Sequence, residues 1–163
     1  MGRSEVPATN AVRVLREHNT PFIPHFYNYE EHGGTRHSAE ALAVPEHIVV
    51  KTLVFITDRK NPCLVLIHGD REVSAKQLAR VMNVKRVEPC DERTAHKFTG
   101  YLFGGTSPFG TRTRLPVYAE KTIFGLERIF INGGKRGFLV ELHPEILRKL
   151  LHVVEVTVAT SEN

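Results

Sequence analysis

The chain has no tryptophan, only two cysteines and only two methionines among its 163 residues. Cys63 and Cys90 form no Cys-x-x-Cys pair and no metal-ligand spacing. A disulfide framework or zinc ribbon is therefore excluded, and both thiols read as core or strand residues of a protein in a reducing cytoplasm. The nine histidines show no His-Glu-x-x-His or comparable spacing, so no metal site is expected. No apolar run approaches the roughly 18 residues of a membrane span, and the stretch from Met1 to Pro7 lacks the apolar centre of a signal peptide, so no membrane partner is expected. Neither a Walker loop, Gly-x-x-x-x-Gly-Lys-Ser/Thr, nor a Gly-x-Gly-x-x-Gly dinucleotide fingerprint is present. That leaves nucleotide hydrolysis and nicotinamide chemistry without support, and no cofactor is expected.

Composition fits one soluble domain spanning residues 1–163, with 41% apolar and 25% charged residues. The net charge of +4 permits a phosphate-rich partner without requiring one.

Apolar spacing after Thr9 and Asn10 predicts a helix running to about His18, and Pro21 and Pro24 then force an extended path into Phe26, Tyr27 and Tyr29. Ser38 reads as the start of a short helix over 39–43, with another turn from Pro45. Residues 48–57 form a β-branched run that reads as a buried strand, and Asp58 to Pro62 turns it into a returning strand over 63–68. Ser74 to Gln77 matches a capping box opening a helix to Met82, and Asp91 caps another that Gly100 ends. Further strands are expected over 85–87, 116–119, 127–131, 138–142 and 153–158, with a helix from Pro144 to Leu151 and frayed ends over the last four residues. Strands outnumber helices and several connections are too short for a βαβ crossover. The expected fold is therefore α+β: a mixed, mostly antiparallel sheet with helices packed around it.

Two segments cannot be ordinary strand or helix: Gly104-Gly105-Thr106-Ser107-Pro108-Phe109-Gly110 and Asn132-Gly133-Gly134-Lys135-Arg136-Gly137. Both read as loops that present bare N–H groups and let a ligand approach the main chain, and the second adds two cations. Lys51 interrupts the apolar run Ile48 to Phe55. On a two-faced strand it would snorkel outward; on a strand buried on both faces it would point into a cleft and hold a phosphate or polarise a carbonyl. Gly105-Thr106-Ser107-Pro108-Phe109 is not a complete nucleophile elbow, because Phe109 stands where the closing glycine is needed, so Ser107 reads as a hydrogen-bonding group and not an attacking one. Arg112 and Arg114 suit either an RNA-facing pair or a solvated strand edge.

Taken together and in order, Val50-Lys51-Thr52-Leu53-Val54, Gly104 to Gly110 and Asn132 to Gly137 resemble the YbaK family, the free-standing relatives of the editing domain of bacterial prolyl-tRNA synthetases. The similarity runs from about Phe22 to Val158. It implies a β-barrel-like mixed sheet with surrounding helices, and a deacylase that acts in trans on mischarged aminoacyl-tRNA, cysteinyl-tRNA specific for proline above all. A prolyl-tRNA synthetase is the implied partner. The resemblance assigns catalysis to Lys51, Gly104 and Ser107. It assigns substrate binding to Tyr29, Thr52, Gly105, Thr106, Pro108, Gly110, Asn132, Gly133 and Gly134. In this family the substrate's own thiol is thought to attack the ester carbonyl and leave as a thiolactone. Asn132 stands where relatives often carry serine, and Leu139 where many carry a polar or acidic residue. The rival expectation is a module with the same fold that binds tRNA or a synthetase without chemistry.

Overall fold

The computed structural model describes residues 5–160. In chain order the elements are α1 (Asn10–Glu17), β1 (Ile23–Phe26), α2 (Gly34–Leu42), β2 (Val49–Thr57), β3 (Pro62–His68), β4 (Glu72–Val73), α3 (Ala75–Met82), β5 (Val87–Pro89), α4 (Glu92–Thr99), β6 (Val117–Glu120), β7 (Ile129–Lys135), β8 (Phe138–Leu142), α5 (Glu145–Leu150), β9 (Val153–Val156) and β10 (Ala159–Thr160). The main sheet runs β1-β8-β7-β2-β3-β6-β9, with β5 also on β2; β4 and β10 pair separately. The pairs β2–β7, β3–β6 and β6–β9 are parallel and the others antiparallel, as expected for a mixed α+β fold. β1 and β9 are the two edges of this path.

β2 is the hinge of the topology, and its sequence explains why. Val50 and Val54 face a core shared with Leu64, Leu66 and Ile131, onto which α1 packs Ala11, Val12 and Leu15, each wholly buried. Its other face meets two smaller clusters. Phe55 joins Leu78 and Ala79 of α3, and Val49 joins Ala39 of α2 with Phe130 and Leu139. A strand covered on both faces reads as a continuous apolar run, and Lys51 interrupts it at the seam between those two clusters.

Several boundaries differ from the sequence expectation for identifiable reasons. α2 begins at Gly34, well before Ser38, because the Ser38 hydroxyl donates back to Thr35 O (3.1 Å) inside the helix instead of capping it. The strand expected over 85–87 lies at Val87–Pro89, where Pro89, which has no N–H, sits opposite Phe55. The expected strand over 153–158 breaks after Val156, because the buried Glu120 carboxylate accepts from Val158 N (2.8 Å) and Ala159 N (3.1 Å) and redirects the chain into β10. Thr160, expected to fray, pairs with Glu72 of β4; the other three C-terminal residues lie outside the described residues. The largest correction concerns the second glycine segment. Asn132 to Lys135 is the end of β7, with a register shift between Asn132 and Lys135, and only Arg136-Gly137 turns the chain into β8.

At the end of β3, His68 is buried and stacked on His47, with ring centroids 3.9 Å apart. Its Nδ1 lies 2.8 Å from His47 O and must donate, so its Nε2, 2.7 Å from Thr122 Oγ1, accepts. Burial lowers its pKa, against the opposing pull of the His47 carbonyl and of Asp70 and Glu120, while the charge of His47 adds to the lowering. The unfolded chain protonates this ring near its ordinary value of about 6.5 and the folded one only at lower pH. The neutral ring therefore contributes fully above that value, and its contribution is lost as pH falls toward the folded value. His68→Gln should flatten the decline in unfolding free energy between about pH 7 and pH 5, by at most about 1.4 kcal/mol per pH unit. Denaturant titrations across that range test this; parallel profiles for the two proteins would refute it.

Candidate active site

β2 has one neighbour along one edge and two along the other. The ladder with β7 ends at Val50 opposite Ile131, and contact with β5 resumes where Cys90 N donates to Val54 O (2.9 Å). Main-chain groups alternate sides along a strand, so the N–H and C=O of Thr52 face this interval with no neighbouring strand. The interval opens into a cavity of about 330 Å³. Lys51, Thr52 and Leu53 line it, with Tyr27 and Tyr29, Thr35 and Ser38 of α2, Gly104 and Thr106, and Asn132 and Leu139.

Lys51 emerges from the seam with its side chain 17% exposed, and its Nζ lies 3.4 Å from Oε1 of Glu72, which is 63% exposed. Such a long, half-solvated ion pair contributes about 0–1 kcal/mol, so it is readily exchanged for an anionic or carbonyl ligand. The hydroxyl of Thr52 is buried without a hydrogen-bond partner. Buried polar groups are nearly always paired, so an orphan on a cavity wall marks a place where a ligand atom can be received.

The first glycine segment is held rigidly from below. Phe109 is wholly buried, worth about 1.5–3 kcal/mol, and its carbonyl accepts from Tyr101 OH (2.5 Å). Ser107 is also wholly buried, and its Oγ accepts from Phe109 N (3.1 Å), closing the turn. The N–H groups of Gly104 and Thr106 have no protein acceptor among the described residues. Gly104 has φ +86, and a Cβ there would come within 2.6 Å of the Tyr29 hydroxyl. Gly105 packs flat on the second segment, where a Cβ would meet Arg136 N at 3.0 Å.

Asn132 joins the two segments. Its Nδ2 donates to Gly104 O (2.9 Å), and its Oδ1 accepts from Gly134 N (2.7 Å) and Lys135 N (3.1 Å). Arg136 adds a second tie through Nε to Phe103 O (2.8 Å), with its guanidinium over the Tyr29 ring. Thr9 fastens the other side: its Oγ1 caps α1 at Val12 N and donates to Gly133 O (2.5 Å).

Of the residues singled out from sequence, Lys51, Thr52, Tyr29, Gly104, Thr106 and Asn132 converge on the cavity. Ser107, Gly105, Pro108, Gly110, Gly133 and Gly134 do not line it; they shape the two walls from behind. The sequence reading missed Tyr27, Thr35 and Ser38 as lining groups. The available signals were the two-residue spacing of Tyr27 and Tyr29 on an extended segment and the three-residue spacing of Thr35 and Ser38 on a helix. Burial, and then Tyr29, push the Tyr27 phenol above its ordinary pKa against the backbone hydrogen bond at Gly137, so it remains a neutral donor. Neither thiol reaches the cavity. Burial pushes Cys63 up to about 12 and also raises Cys90, so both stay protonated.

The geometry defines a binding domain whose cleft is walled by main chain and holds one lysine but no activated protein nucleophile. The chain belongs to the aminoacyl-tRNA editing domain family, whose model matches residues 32–150. It is 30% identical to EbsC of Enterococcus faecalis, provisionally named a Cys-tRNA(Pro)/Cys-tRNA(Cys) deacylase, over 94% of each chain. It is also 30% identical to the proline–tRNA ligase of Lactobacillus delbrueckii subsp. bulgaricus over 60% of this chain, a match that spans 17% of the ligase. A solved structure provisionally described as a trans-editing enzyme for prolyl tRNA synthetase superposes with a TM-score of 0.83 at 20% identity, covering 96% of this chain and 99% of the other. The hypothetical protein APE2540 superposes with a TM-score of 0.84 at 18% identity, covering 93% and 99%. These two likenesses establish the fold.

Removing the Asn132 carboxamide should loosen both walls together. Asn132→Ala is expected to lower unfolding free energy by about 1–3 kcal/mol, the sum of three partly exposed hydrogen bonds. Gly104→Ala should cost about 1–2 kcal/mol through its left-handed backbone and displace Tyr29 into the cavity. Chemical denaturation of both variants checks these values; a change below about 0.5 kcal/mol for Asn132→Ala would show that the bridge is not structural.

Proposed function

We propose that this protein is a free-standing aminoacyl-tRNA deacylase that acts in trans on mischarged tRNA, with cysteinyl-tRNA specific for proline as its expected substrate. The observation that carries this reading is the convergence of Lys51, the unpaired Thr52 edge, Gly104 and Asn132 on one small cleft in a chain of the editing family. The name of the E. faecalis relative supports the substrate, and the resemblance to proline–tRNA ligases supports a prolyl-tRNA synthetase as the source of the error. Cysteine and proline are close in size, and a pocket separates such analogues by only about 1–3 kcal/mol per methylene, so a second hydrolytic sieve has a use.

The chemistry follows from what the cleft offers. An aminoacyl ester is already activated, so orientation and stabilisation of the developing oxyanion suffice. Lys51 Nζ, the N–H groups of Thr52, Gly104 and Thr106, and the Thr52 and Tyr27 hydroxyls are available donors. The family resemblance implies that the attacking group is the substrate's own thiol, and neither protein thiol lines the cleft to compete with it. The substrate sulfur bonds to the ester carbonyl carbon, the bond from that carbon to the terminal ribose oxygen breaks, and the thiol proton ends on the ribose hydroxyl. The products are a thiolactone and intact tRNA. Val49 and Leu139, both buried, give the cleft an apolar floor compatible with sulfur.

A deacylation panel of cysteinyl, alanyl and seryl tRNAs tests this. Cysteinyl-tRNA should be cleaved well above the buffer rate and seryl-tRNA, in which a hydroxyl replaces the thiol, far more slowly. Lys51→Ala should reduce kcat/KM by about 10²-fold, the usual loss of one oxyanion donor. Full activity in Lys51→Ala would remove the assigned role of the lysine. No hydrolysis of any member would leave a binding module instead.

A further inference from the structure

A second concavity adjoins the cleft, a groove of about 600 Å³ along α4. Arg93 and Lys97, four residues apart on one face of that helix, line one side, and Arg112 and Arg136 the other. Arg112 is brought there by the backbone: its N–H donates to Thr99 O (3.0 Å), and its side chain lies along Gly100 at the helix end. Arg114, its neighbour in sequence, does not line the groove. Among the described residues none of the four cations makes an ion pair; Glu92 is the single carboxylate on the groove wall. His96 also lines it, with Nε2 buried and without a hydrogen-bond partner. Leu102 and Phe103 remain exposed at its rim.

We propose that this groove holds the single-stranded 3′ end of an RNA, with Arg93, Lys97 and Arg112 on its phosphates and Phe103 as a stacking surface for a base. The groove and the cleft share Glu92, Phe103 and Arg136, so a strand whose terminal nucleoside enters the cleft continues directly into the groove. Unpaired cations beside an exposed aromatic ring match a phosphate backbone with stacked bases, and the continuity of the groove with the cleft favours a strand over a separate protein surface. The cleft's occupant is taken from the deacylase reading; the groove's affinity for RNA can be measured without it.

The test uses the full chain and the triple variant Arg93→Gln, Lys97→Gln, Arg112→Gln, whose side chains are exposed and lie outside the cleft. Binding of an uncharged, fluorescent single-stranded RNA ending in CCA is followed by anisotropy against salt. Loss of three phosphate contacts should make the log–log salt slope shallower by about 2, and Arg93→Lys with Arg112→Lys should keep the original slope. In parallel, the triple variant should cleave 2′(3′)-O-cysteinyl-adenosine, which fills only the cleft, at the wild-type rate while losing about tenfold or more in kcat/KM on full-length tRNA.

An unchanged salt slope, or equal losses on both substrates, overturns the groove assignment. So does a variant that keeps RNA but loses binding to a prolyl-tRNA synthetase, which would make the patch a protein interface. Failure of wild type to cleave either ester while the slope still shifts would defeat the deacylase reading and leave the RNA groove standing.

Discussion

The cleft exists because β2 is shared. A strand inside a sheet normally has one partner along each edge, which satisfies every main-chain donor and acceptor. Here β7 takes the first part of one edge and β5 the last, so Thr52 is left facing an interval. An interval in the middle of a sheet would fill with side chains unless something held its walls apart. Here α1 and Phe109 press from one face and α2 from the other, and the interval stays open only toward the two glycine segments. The site is thus a missing piece of sheet, and a ligand that supplies an acceptor to Thr52 restores part of it.

Holding the far wall is the task of Asn132. One carboxamide donates to a carbonyl of the first segment and accepts from two N–H groups of its own strand, so the two walls keep a fixed separation. A serine hydroxyl could match the count of one donated and two accepted bonds, but only through a single oxygen on a shorter arm, whereas the carboxamide divides them between Nδ2 and Oδ1. Asn132 therefore joins the two walls through two separate polar atoms. Leu139 lies directly across the strand pair from Asn132, so the two residues occupy one face of the β7–β8 hairpin. A longer polar bridge above and an apolar floor below form a consistent pair: the bridge is satisfied by backbone and needs no partner from position 139.

The strands and helices were legible where local chemistry settles them. The β2–β3 hairpin, the Ser74 and Asp91 caps and the Gly100 stop all follow from patterns whose partners lie within a few residues. Reading failed where a distant group decides. Glu120 ends β9 from 36 residues away in sequence at Val156, and Thr35 claims the Ser38 hydroxyl that a local reading assigns to a cap. Gly133 and Gly134 look like loop residues because glycine is common in turns; they belong to a strand because Thr9 and Phe138 press against the backbone there. The same limit applied to the site. Residues on the central strand and the glycine segments could be named, whereas the spacing of Thr35 and Ser38 shows only that they share a helix face, and the packing of α2 decides what that face meets.

Electrostatics separates the two concavities more sharply than shape does. Inside the cleft the lysine keeps only a long, half-solvated contact to Glu72 and meets a floor of aliphatic side chains, an environment that favours a polarised but compact group such as an ester carbonyl. Along α4 four cations face one carboxylate without pairing, which favours a spread of negative charge. Arg136 stands at the boundary, tied by Nε to Phe103 O and stacked on Tyr29, so its guanidinium contributes to both fields without being free to leave either. A strand that follows the potential from groove to cleft passes from strong, long-range attraction to weak, short-range selection. In the proposed complex, affinity is set outside by phosphate and discrimination inside by the few ångströms around the carbonyl, where Lys51 is held only by its long contact to Glu72.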